Sequence, residues 1–377
     1  MTVFSIFLQQ TMIISIALFF VASAVIMVTS AAENRKMEYS NGNVVSSSSC
    51  SLSAQKDATS TSSLSALARA QALDAPTPHS SVGGEYEDHE WWVSHEDLFS
   101  KARQEWGRLH PELYDAQDHV ETFEERFVRN EFRNQFRNVW VESSVEHETS
   151  VRDLFQETNA PGVYGFQMFT DEFHQLFMEE LDYQISSGIP LRRPNGMNRY
   201  GAILSELGLD SIVTVMIDRY FRPVGQLLYP EFMGTKDAEE HFSFVVRYKM
   251  EEDVELAEHT DASVVTINLC LGKPGFEGGS LYFKGLRWMN NELNENGAAI
   301  PTETATFAQR NEIVMEPGMG IIHLGRHEHA ALPLTGGERT NMIVWLSGEH
   351  GVVRIAKYSK EEMQEAAAMR WYPRMDE

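Results

Sequence analysis

Two histidines and an aspartate in the second half of the chain have side chains suited to an iron-centred oxidation site. His259 and Asp261 are separated by one residue, and in a strand such residues point to the same face, so both could bind one metal ion. A third ligand must come from a distant segment, and His329 can supply it. Two imidazoles and one carboxylate on one face of an octahedral iron(II) leave positions open for dioxygen and a second ligand.

A nearby arginine could hold a cosubstrate at such a centre. A non-haem iron needs two further electrons to split dioxygen, and a keto acid can provide them by losing carbon dioxide. Arg339 could anchor the far carboxylate of that acid, because its planar guanidinium pairs bidentately with carboxylates and stays charged.

Short apolar segments around these residues predict β-strands. Phe242–Tyr248, Val264–Leu271 and Gly278–Phe283 are rich in strand-favouring residues and are bounded by turn formers. Short strands separated by turns dominate from Phe242 to Leu346. This pattern predicts an α+β fold with a double-stranded β-helix core, a jelly-roll of two packed antiparallel sheets.

Amphipathic segments before the strands predict helices that flank this core. Thr170 can cap a helix with Asp171 and Glu172 in its first turn, and Ser211–Leu228 shows a second apolar periodicity. Val120–Trp140 has aromatic residues at helical spacing among Glu and Arg, which predicts a further amphipathic helix. Its arginines are interpreted as the solvated side of that helix.

Several longer motifs resemble a known enzyme family. FVVRYK at Tyr248, EHTDASVVTIN at His259, FEGGSLYF and HAALPLTGGER resemble the catalytic domain of the prolyl 4-hydroxylase and procollagen lysyl hydroxylase group of iron- and 2-oxoglutarate-dependent dioxygenases. PGVYGFQMF, RPNGMNRYGAILSELGLD and RTNMIVWL resemble the 2-oxoglutarate- and iron-dependent oxygenase domain-containing protein 2 family. The resemblance covers about Glu157–Glu349.

The resemblance implies roles for individual residues. His259, Asp261 and His329 would be the Fe(II) ligands, and Arg339 would anchor 2-oxoglutarate. It also implies O2 as a substrate, L-ascorbate as the reductant that keeps the iron active, and release of succinate and CO2. The hydroxylated group would be a Lys or Pro side chain of a protein or peptide.

Two more residues match positions that contact the cosubstrate in the lysyl hydroxylase pattern. Tyr248 lies eleven residues before the first histidine of the His-x-Asp pair, and Asn268 lies nine residues after it. Where many prolyl hydroxylases have a further tyrosine, this chain has Leu269 and Cys270.

Two alternatives stay open. His323, His327 and His329 could form the zinc site of a hydrolase, in which Arg339 would have no keto acid to hold. The jelly-roll could also be a non-catalytic module that binds a peptide in its groove. The interval from His329 to LPLTGGER matches the family, which favours His329 over His327 as the ligand. We predict that His327 lies behind the ligands or at the rim of the site.

Length and charge restrict the organisation of the protein. The chain has 377 residues, of which 42% are hydrophobic, enough for one large core with flanking segments. Its formal net charge of −24 argues against a nucleic-acid partner and is compatible with a basic protein substrate.

The N-terminus predicts attachment to a membrane. Thr11–Thr29 is an uncharged apolar run of the length that crosses a bilayer, with a cleaved signal peptide as the alternative. Arg35 and Lys36 after the run would favour a catalytic domain on the cytosolic side of the membrane. The resemblance to collagen-type hydroxylases instead favours a catalytic domain in the secretory pathway, within the endoplasmic reticulum lumen.

We predict six segments along the chain. They are a transmembrane anchor or signal peptide (1–35), a disordered Ser-rich tether (36–85), a helical N-terminal region (86–156), a helical support (157–241), the dioxygenase core (242–350) and a C-terminal helix (351–377). Within the core, a polar stretch over 287–311 could border the mouth of the site.

Overall fold

The computed structural model describes residues 64–76, 84–141, 144–234, 240–286, 289–293, 299–301 and 305–348. The predicted anchor or signal segment (1–35), most of the predicted tether (36–85) and the predicted C-terminal helix (351–377) lie outside these residues. Within the described ranges, no helix is long and apolar enough to cross a membrane.

Helices dominate the described chain before residue 240. The α-helices are Ala66–Gln71, Gly84–Trp106, Val120–Phe127, Asn130–Val141, Val145–Arg152, Asp171–Ser186, Asp210–Met216, Arg222–Leu228 and Pro230–Met233. Shorter helical turns are Pro111–Leu113, Ser205–Leu207 and the π-helical Ile217–Phe221.

Two of the helix predictions are confirmed, and one is corrected. The Thr170 hydroxyl accepts the Phe173 N–H and so caps Asp171–Ser186 as predicted. The apolar periodicity of 211–228 likewise forms helical turns. The single helix predicted over 120–140 is instead two, because Val128 adopts extended backbone and forms an isolated β-bridge with Phe169.

The predicted disordered tether is wrong at its C-terminal end, where Ala66–Gln71 is helical. The Ser65 hydroxyl caps this helix, and the Glu105 carboxylate accepts the N–H groups of its first two residues. Ala70 is buried against Phe99 of the following helix. Composition indicated disorder here because it could not show that a distant helix supplies an apolar surface and a carboxylate that accepts the first N–H groups.

Within the described ranges, fifteen strands follow or interrupt the helices. In chain order they are β1 (Gln156–Glu157), β2 (Tyr164–Phe166), β3 (Gly201–Ile203), β4 (His241–Lys249), β5 (Leu256–His259), β6 (Val265–Gly272), β7 (Glu277–Gly278), β8 (Leu281–Leu286), β9 (Met289–Leu293), β10 (Ala299–Pro301), β11 (Ala305–Ile313), β12 (Gly320–Leu324), β13 (His327–Ala331), β14 (Leu334–Gly336) and β15 (Glu338–Leu346). The first two strand predictions are confirmed as β4 and β6, whereas the third is split between β7 and β8. The polar stretch 287–311 contains the hairpin of β9 and β10.

The strands form two main antiparallel sheets. The larger has seven strands in the order β1-β2-β12-β6-β15-β4-β3, and the smaller has four in the order β11-β8-β13-β5. Buried side chains of both sheets share one apolar cluster, including Phe244 and Ile343 of the larger sheet and Phe283 of the smaller. Alternate residues of β15, such as Val344, join a second cluster with helical residues, including Phe173. The larger sheet is therefore covered by helices on one face and by the smaller sheet on the other.

Candidate active site

The structure brings His259, Asp261 and His329 together. One possible ligand atom from each residue lies within 4.8 Å of the others. His259 ends β5 and pairs directly with His329 of β13, so the register of two adjacent strands sets their separation. The nearest pairs of atoms are His259 Nε2 and Asp261 Oδ1 at 3.4 Å, and His329 Nε2 and Asp261 Oδ2 at 3.8 Å.

Both imidazoles are oriented for metal binding by hydrogen bonds to main-chain carbonyls. His259 Nδ1 lies 2.8 Å from the Ala257 oxygen, and His329 Nδ1 lies 2.8 Å from the His327 oxygen. A carbonyl can only accept, so each Nδ1 donates a proton, and each Nε2 faces Asp261 as the nitrogen available to a metal ion. A hydrogen-bonded second nitrogen of this kind typically orients a metal-binding histidine.

The carboxylate of Asp261 is also held from behind. The Thr266 hydroxyl donates to Asp261 Oδ2 at 2.7 Å, and Ser263 Oγ lies 2.7 Å from the Thr266 hydroxyl oxygen. Sequence reasoning missed Thr266, because it lies on β6 beyond the turn that follows Asp261. Nothing in the local pattern distinguishes it from any other strand threonine.

The charge states of Asp261 and His329 suit a divalent cation. Burial disfavours ionisation of Asp261, but the adjacent His329 and His259 outweigh it and lower the pKa of this carboxyl. Burial lowers the pKa of His329 to about 3, although Asp261 acts in the opposite direction. Near neutral pH, Asp261 is therefore an anion and His329 is a neutral imidazole, the forms that bind metals.

The alternative cluster of three histidines does not form. Among the described residues, the group of His259, Asp261 and His329 is the only one of its kind. His327 Nε2 lies 3.3 Å from the Pro161 oxygen. His323 is fully buried behind the site, with its Nε2 3.9 Å from Asp261 Oδ2.

Arg339 is buried, and no side chain among the described residues is an anionic partner for it. It is 1% exposed, and its Cζ lies 4.7 Å from the centre of the Tyr248 ring. One terminal nitrogen donates to the Gly279 oxygen, while Nε has no hydrogen-bond partner, and no acidic side chain of the described chain pairs with the guanidinium. Burial lowers the pKa of Arg339, as expected for an uncompensated cation. Such a group requires a bound anion to offset its desolvation.

The glycine pair Gly278–Gly279 lets the backbone approach this guanidinium. A Cβ at Gly279 would lie 3.0 Å from Arg339 Nη1, and the residue has a φ of +69°. Gly279 therefore allows the backbone to pack closely against Arg339, where a larger residue would not fit.

Hydrogen-bond donors surround the Arg339 end of the site. Burial raises the pKa of Tyr248, so its hydroxyl keeps its proton. Asn341 Nδ2 donates to Asn268 Oδ1 at 2.6 Å, which leaves the Asn268 amino group as a donor. Sequence reasoning missed Asn341, although its position two residues after Arg339 on β15 places it on the same face of the strand.

One cavity of about 220 Å³ contains both ends of the site. His259, Asp261 and His329 line it together with Arg339. The remaining wall is mostly apolar or belongs to the segment before β3, including Phe244, Val246, Leu256, Leu281, Ile343, Trp345 and residues 195–198. A small molecule in this cavity could reach a bound metal with one end and Arg339 with the other.

Comparisons with known proteins find relatives that are named as 2-oxoglutarate and iron-dependent oxygenases. Residues 102–234 match the family described as an OGFOD2-like domain, which precedes the residues of the site. The chain is 32% identical over 257 residues to the 2-oxoglutarate and iron-dependent oxygenase domain-containing protein ICU11 of Arabidopsis thaliana, over 67% of this chain and 58% of that protein. It is 34% identical over 242 residues to the 2-oxoglutarate and iron-dependent oxygenase domain-containing protein 2 of Xenopus tropicalis, over 63% of this chain and 61% of that protein.

A weaker similarity extends to the collagen-modifying enzymes. The human procollagen-lysine,2-oxoglutarate 5-dioxygenase 1 is 25% identical over 244 residues, which cover 61% of this chain and 28% of that protein. The chain matches less than two thirds of the length of each of these relatives. These matches confirm the resemblance found in the motifs: the chain is a relative of the 2-oxoglutarate and iron-dependent oxygenase domain-containing proteins.

Proposed function

We propose that this protein is an iron(II)- and 2-oxoglutarate-dependent dioxygenase with a jelly-roll core. The observation that carries the proposal is one cavity lined by a His-Asp-His group and by a buried arginine that has no anionic partner among the described residues. The two packed antiparallel sheets support the jelly-roll assignment. The names of the relatives agree with the activity.

The residues present fit both groups that this chemistry needs. His259, Asp261 and His329 would hold Fe(II), since two neutral imidazoles and a carboxylate suit this metal and do not saturate it. Arg339 would hold the distal carboxylate of 2-oxoglutarate, with the Tyr248 hydroxyl as a second donor. When bound, Fe(II) and 2-oxoglutarate together activate O2, with release of succinate and CO2.

The protein contributes orientation and exclusion of water. The carbonyls of Ala257 and His327 hold the two imidazoles, and Thr266 holds the Asp261 carboxylate. Apolar side chains on the cavity wall limit water around the reacting groups, which strengthens the electrostatic interactions within the cavity.

The substrate we propose is a Lys or Pro side chain of a protein or peptide, which would be hydroxylated. The similarity to a procollagen-lysine dioxygenase supports this class, and the net charge of −24 favours a basic partner. The use of ascorbate and the membrane or secretory location stay predictions. The location depends on residues 1–35, outside the described part of the chain.

The two alternatives are less well supported. A zinc hydrolase built on three histidines would need His327 beside His329, whereas His327 Nε2 lies next to the Pro161 oxygen. A non-catalytic peptide-binding module would not need a complete, oriented ligand set beside a buried arginine to which no carboxylate of the described residues is paired.

The test is release of succinate from 2-oxoglutarate by the full chain with Fe(II) and ascorbate. We expect turnover in the wild type, none in Asp261→Ala and wild-type turnover in the control Asp118→Ala, which removes an exposed carboxylate. No wild-type turnover, together with no calorimetric binding of 2-oxoglutarate to the Mn(II)-loaded protein, would contradict the proposal.

A further inference from the structure

We infer that Asn198 is a positioning residue that acts through Tyr248, so that the Tyr248 hydroxyl donates its proton to an anion bound at Arg339. The inference rests on the proposed function only in naming that anion as the distal carboxylate of 2-oxoglutarate. It assigns a role to a segment that precedes the catalytic strands in sequence and contains none of the predicted site residues.

The segment that contains Asn198 forms one wall of the cavity, and three contacts keep it there. Residues 195–198 line the cavity. Immediately after them, β3 begins at Gly201 and pairs with Val246 of β4. Next to this pair, the Arg247 N–H donates to the Tyr200 oxygen at 3.1 Å. The Arg199 N–H donates to Asp253 Oδ2 at 2.6 Å.

The hydrogen bonds within the segment have a defined direction. Asn195 Oδ1 accepts the backbone N–H groups of Met197 and Asn198, each at 2.8 Å. Backbone N–H groups can only donate, so this atom of Asn195 must be the oxygen and the other terminal atom must be the nitrogen. Asn195 Nδ2 donates to Asn198 Oδ1 at 3.0 Å. The free terminal atom of Asn198 is therefore also a donor.

This direction continues into the tyrosine. Asn198 Nδ2 lies 3.4 Å from the Tyr248 hydroxyl oxygen, which must accept. Asn198 is 1% exposed and Tyr248 is 4% exposed, so little water competes for these groups. Because Asn198 donates to the Tyr248 hydroxyl oxygen, the phenolic proton must point away from Asn198.

The cavity beside Arg339 is where that proton is needed. The guanidinium lies over the Tyr248 ring, and both side chains line the cavity. Asn268, held from behind by Asn341, lines the same cavity with its amino group left as a donor. The contact of Asn198 with Tyr248 and that of Asn341 with Asn268 therefore leave two donors, the Tyr248 hydroxyl and the Asn268 amino group, near the buried guanidinium. This arrangement favours the binding of an anionic group.

The main test reverses the direction of the hydrogen bond between residue 198 and the Tyr248 hydroxyl in the full chain. In Asn198→Asp, the new carboxylate accepts the phenolic proton and withdraws it from the ligand. We expect the affinity of the Mn(II)-loaded protein for 2-oxoglutarate to fall about 10- to 100-fold, the effect of losing one hydrogen bond to a charged group. The affinity for oxalate, which chelates the metal but has no distal carboxylate, should change less than about threefold. Calorimetry measures both affinities.

A double-mutant cycle separates a positioning role from a structural one. If Asn198 acts through the phenol, Asn198→Ala weakens 2-oxoglutarate binding in the wild type but not in a Tyr248→Phe background. The KM for 2-oxoglutarate should rise more than kcat falls. If Asn198→Asp does not fold, this double-mutant cycle still tests the inference. Asn159→Asp, which adds the same charge at an exposed asparagine, is the matched control and should bind as the wild type does.

The possible failures are distinguishable. A wild-type protein that binds no 2-oxoglutarate refutes the proposed function. A wild type that binds it, with Asn198→Asp unchanged, refutes the role of Asn198 alone. The same conclusion follows if oxalate binding falls equally, or if the effect of Asn198→Ala persists in the Tyr248→Phe background.

Discussion

Replacing Arg339 by methionine separates the contribution of this residue to ligand binding from its contribution to stability. Methionine has a similar length and flexible, apolar atoms, so it can fill the space without a charge. Because Arg339 is buried and has no carboxylate partner in the described chain, we expect Arg339→Met to lose cosubstrate binding while the unliganded protein stays folded.

The magnitudes follow from the contacts of the guanidinium. A bidentate pair with a carboxylate contains two charge-assisted hydrogen bonds of about 1.5–3 kcal/mol each, so their loss reduces the affinity by roughly 10²- to 10⁴-fold. For stability, removal of a buried charge gains up to about 4 kcal/mol. Loss of the contact with the Tyr248 ring costs about 0.5–2 kcal/mol, and loss of the donor to the Gly279 oxygen costs about 1–3 kcal/mol. These terms nearly cancel, and we expect the free energy of unfolding to change by less than about 2 kcal/mol.

Denaturant unfolding and calorimetry test both parts of this prediction. The Mn(II)-loaded wild type should bind 2-oxoglutarate and gain thermal stability from it, whereas Arg339→Met should do neither and should keep its affinity for Mn(II). A variant that loses about 3–5 kcal/mol of stability without ligand would indicate that Arg339 has a structural counter-ion. A variant that still binds 2-oxoglutarate with wild-type affinity would refute the assignment of Arg339.

Two further substitutions test the surroundings of the site. Thr266→Val removes the hydrogen bond to Asp261 and should weaken Mn(II) binding about 10- to 100-fold in a calorimetric titration; an unchanged affinity would show that this contact does not hold the carboxylate. Gly201→Ala places a Cβ 2.0 Å from the Val245 oxygen at a residue with a φ of +144°. It should lower the free energy of unfolding by about 1–3 kcal/mol, and a neutral effect would mean that β3 can move away from β4.

The sequence identified the central chemistry because much of it is local. His259 and Asp261 are two residues apart, so one short segment brings both to the site, although Asp261 lies just beyond the end of β5 and not on the strand as expected. The strands around them have continuous apolar runs, since both faces of the larger sheet are buried, and this pattern is visible without any tertiary information. The Thr170 cap is equally local, because the donor and the acceptor lie within one helical turn.

Context outside the local segment caused the errors. Ala66–Gln71 was predicted to be disordered from its composition, but its N–H groups are satisfied by Glu105 and its one buried side chain packs on another helix. The helix predicted over 120–140 ends early because Val128 bridges to Phe169. In both cases the deciding partner lies roughly 30–40 residues away, beyond the range of a periodicity or composition argument.

By itself, the sequence determined which side chains could bind a metal ion and a carboxylate. The tertiary structure brings His329, which the sequence already favoured over His327, into the group, because the pairing of β5 with β13 sets His329 directly opposite His259. It alone brought Asn198 within 3.4 Å of the Tyr248 hydroxyl across 50 residues of chain. The physical reason is that strand register and the packing of a loop against a sheet depend on many distant contacts together, whereas the face on which a side chain lies depends only on the local backbone.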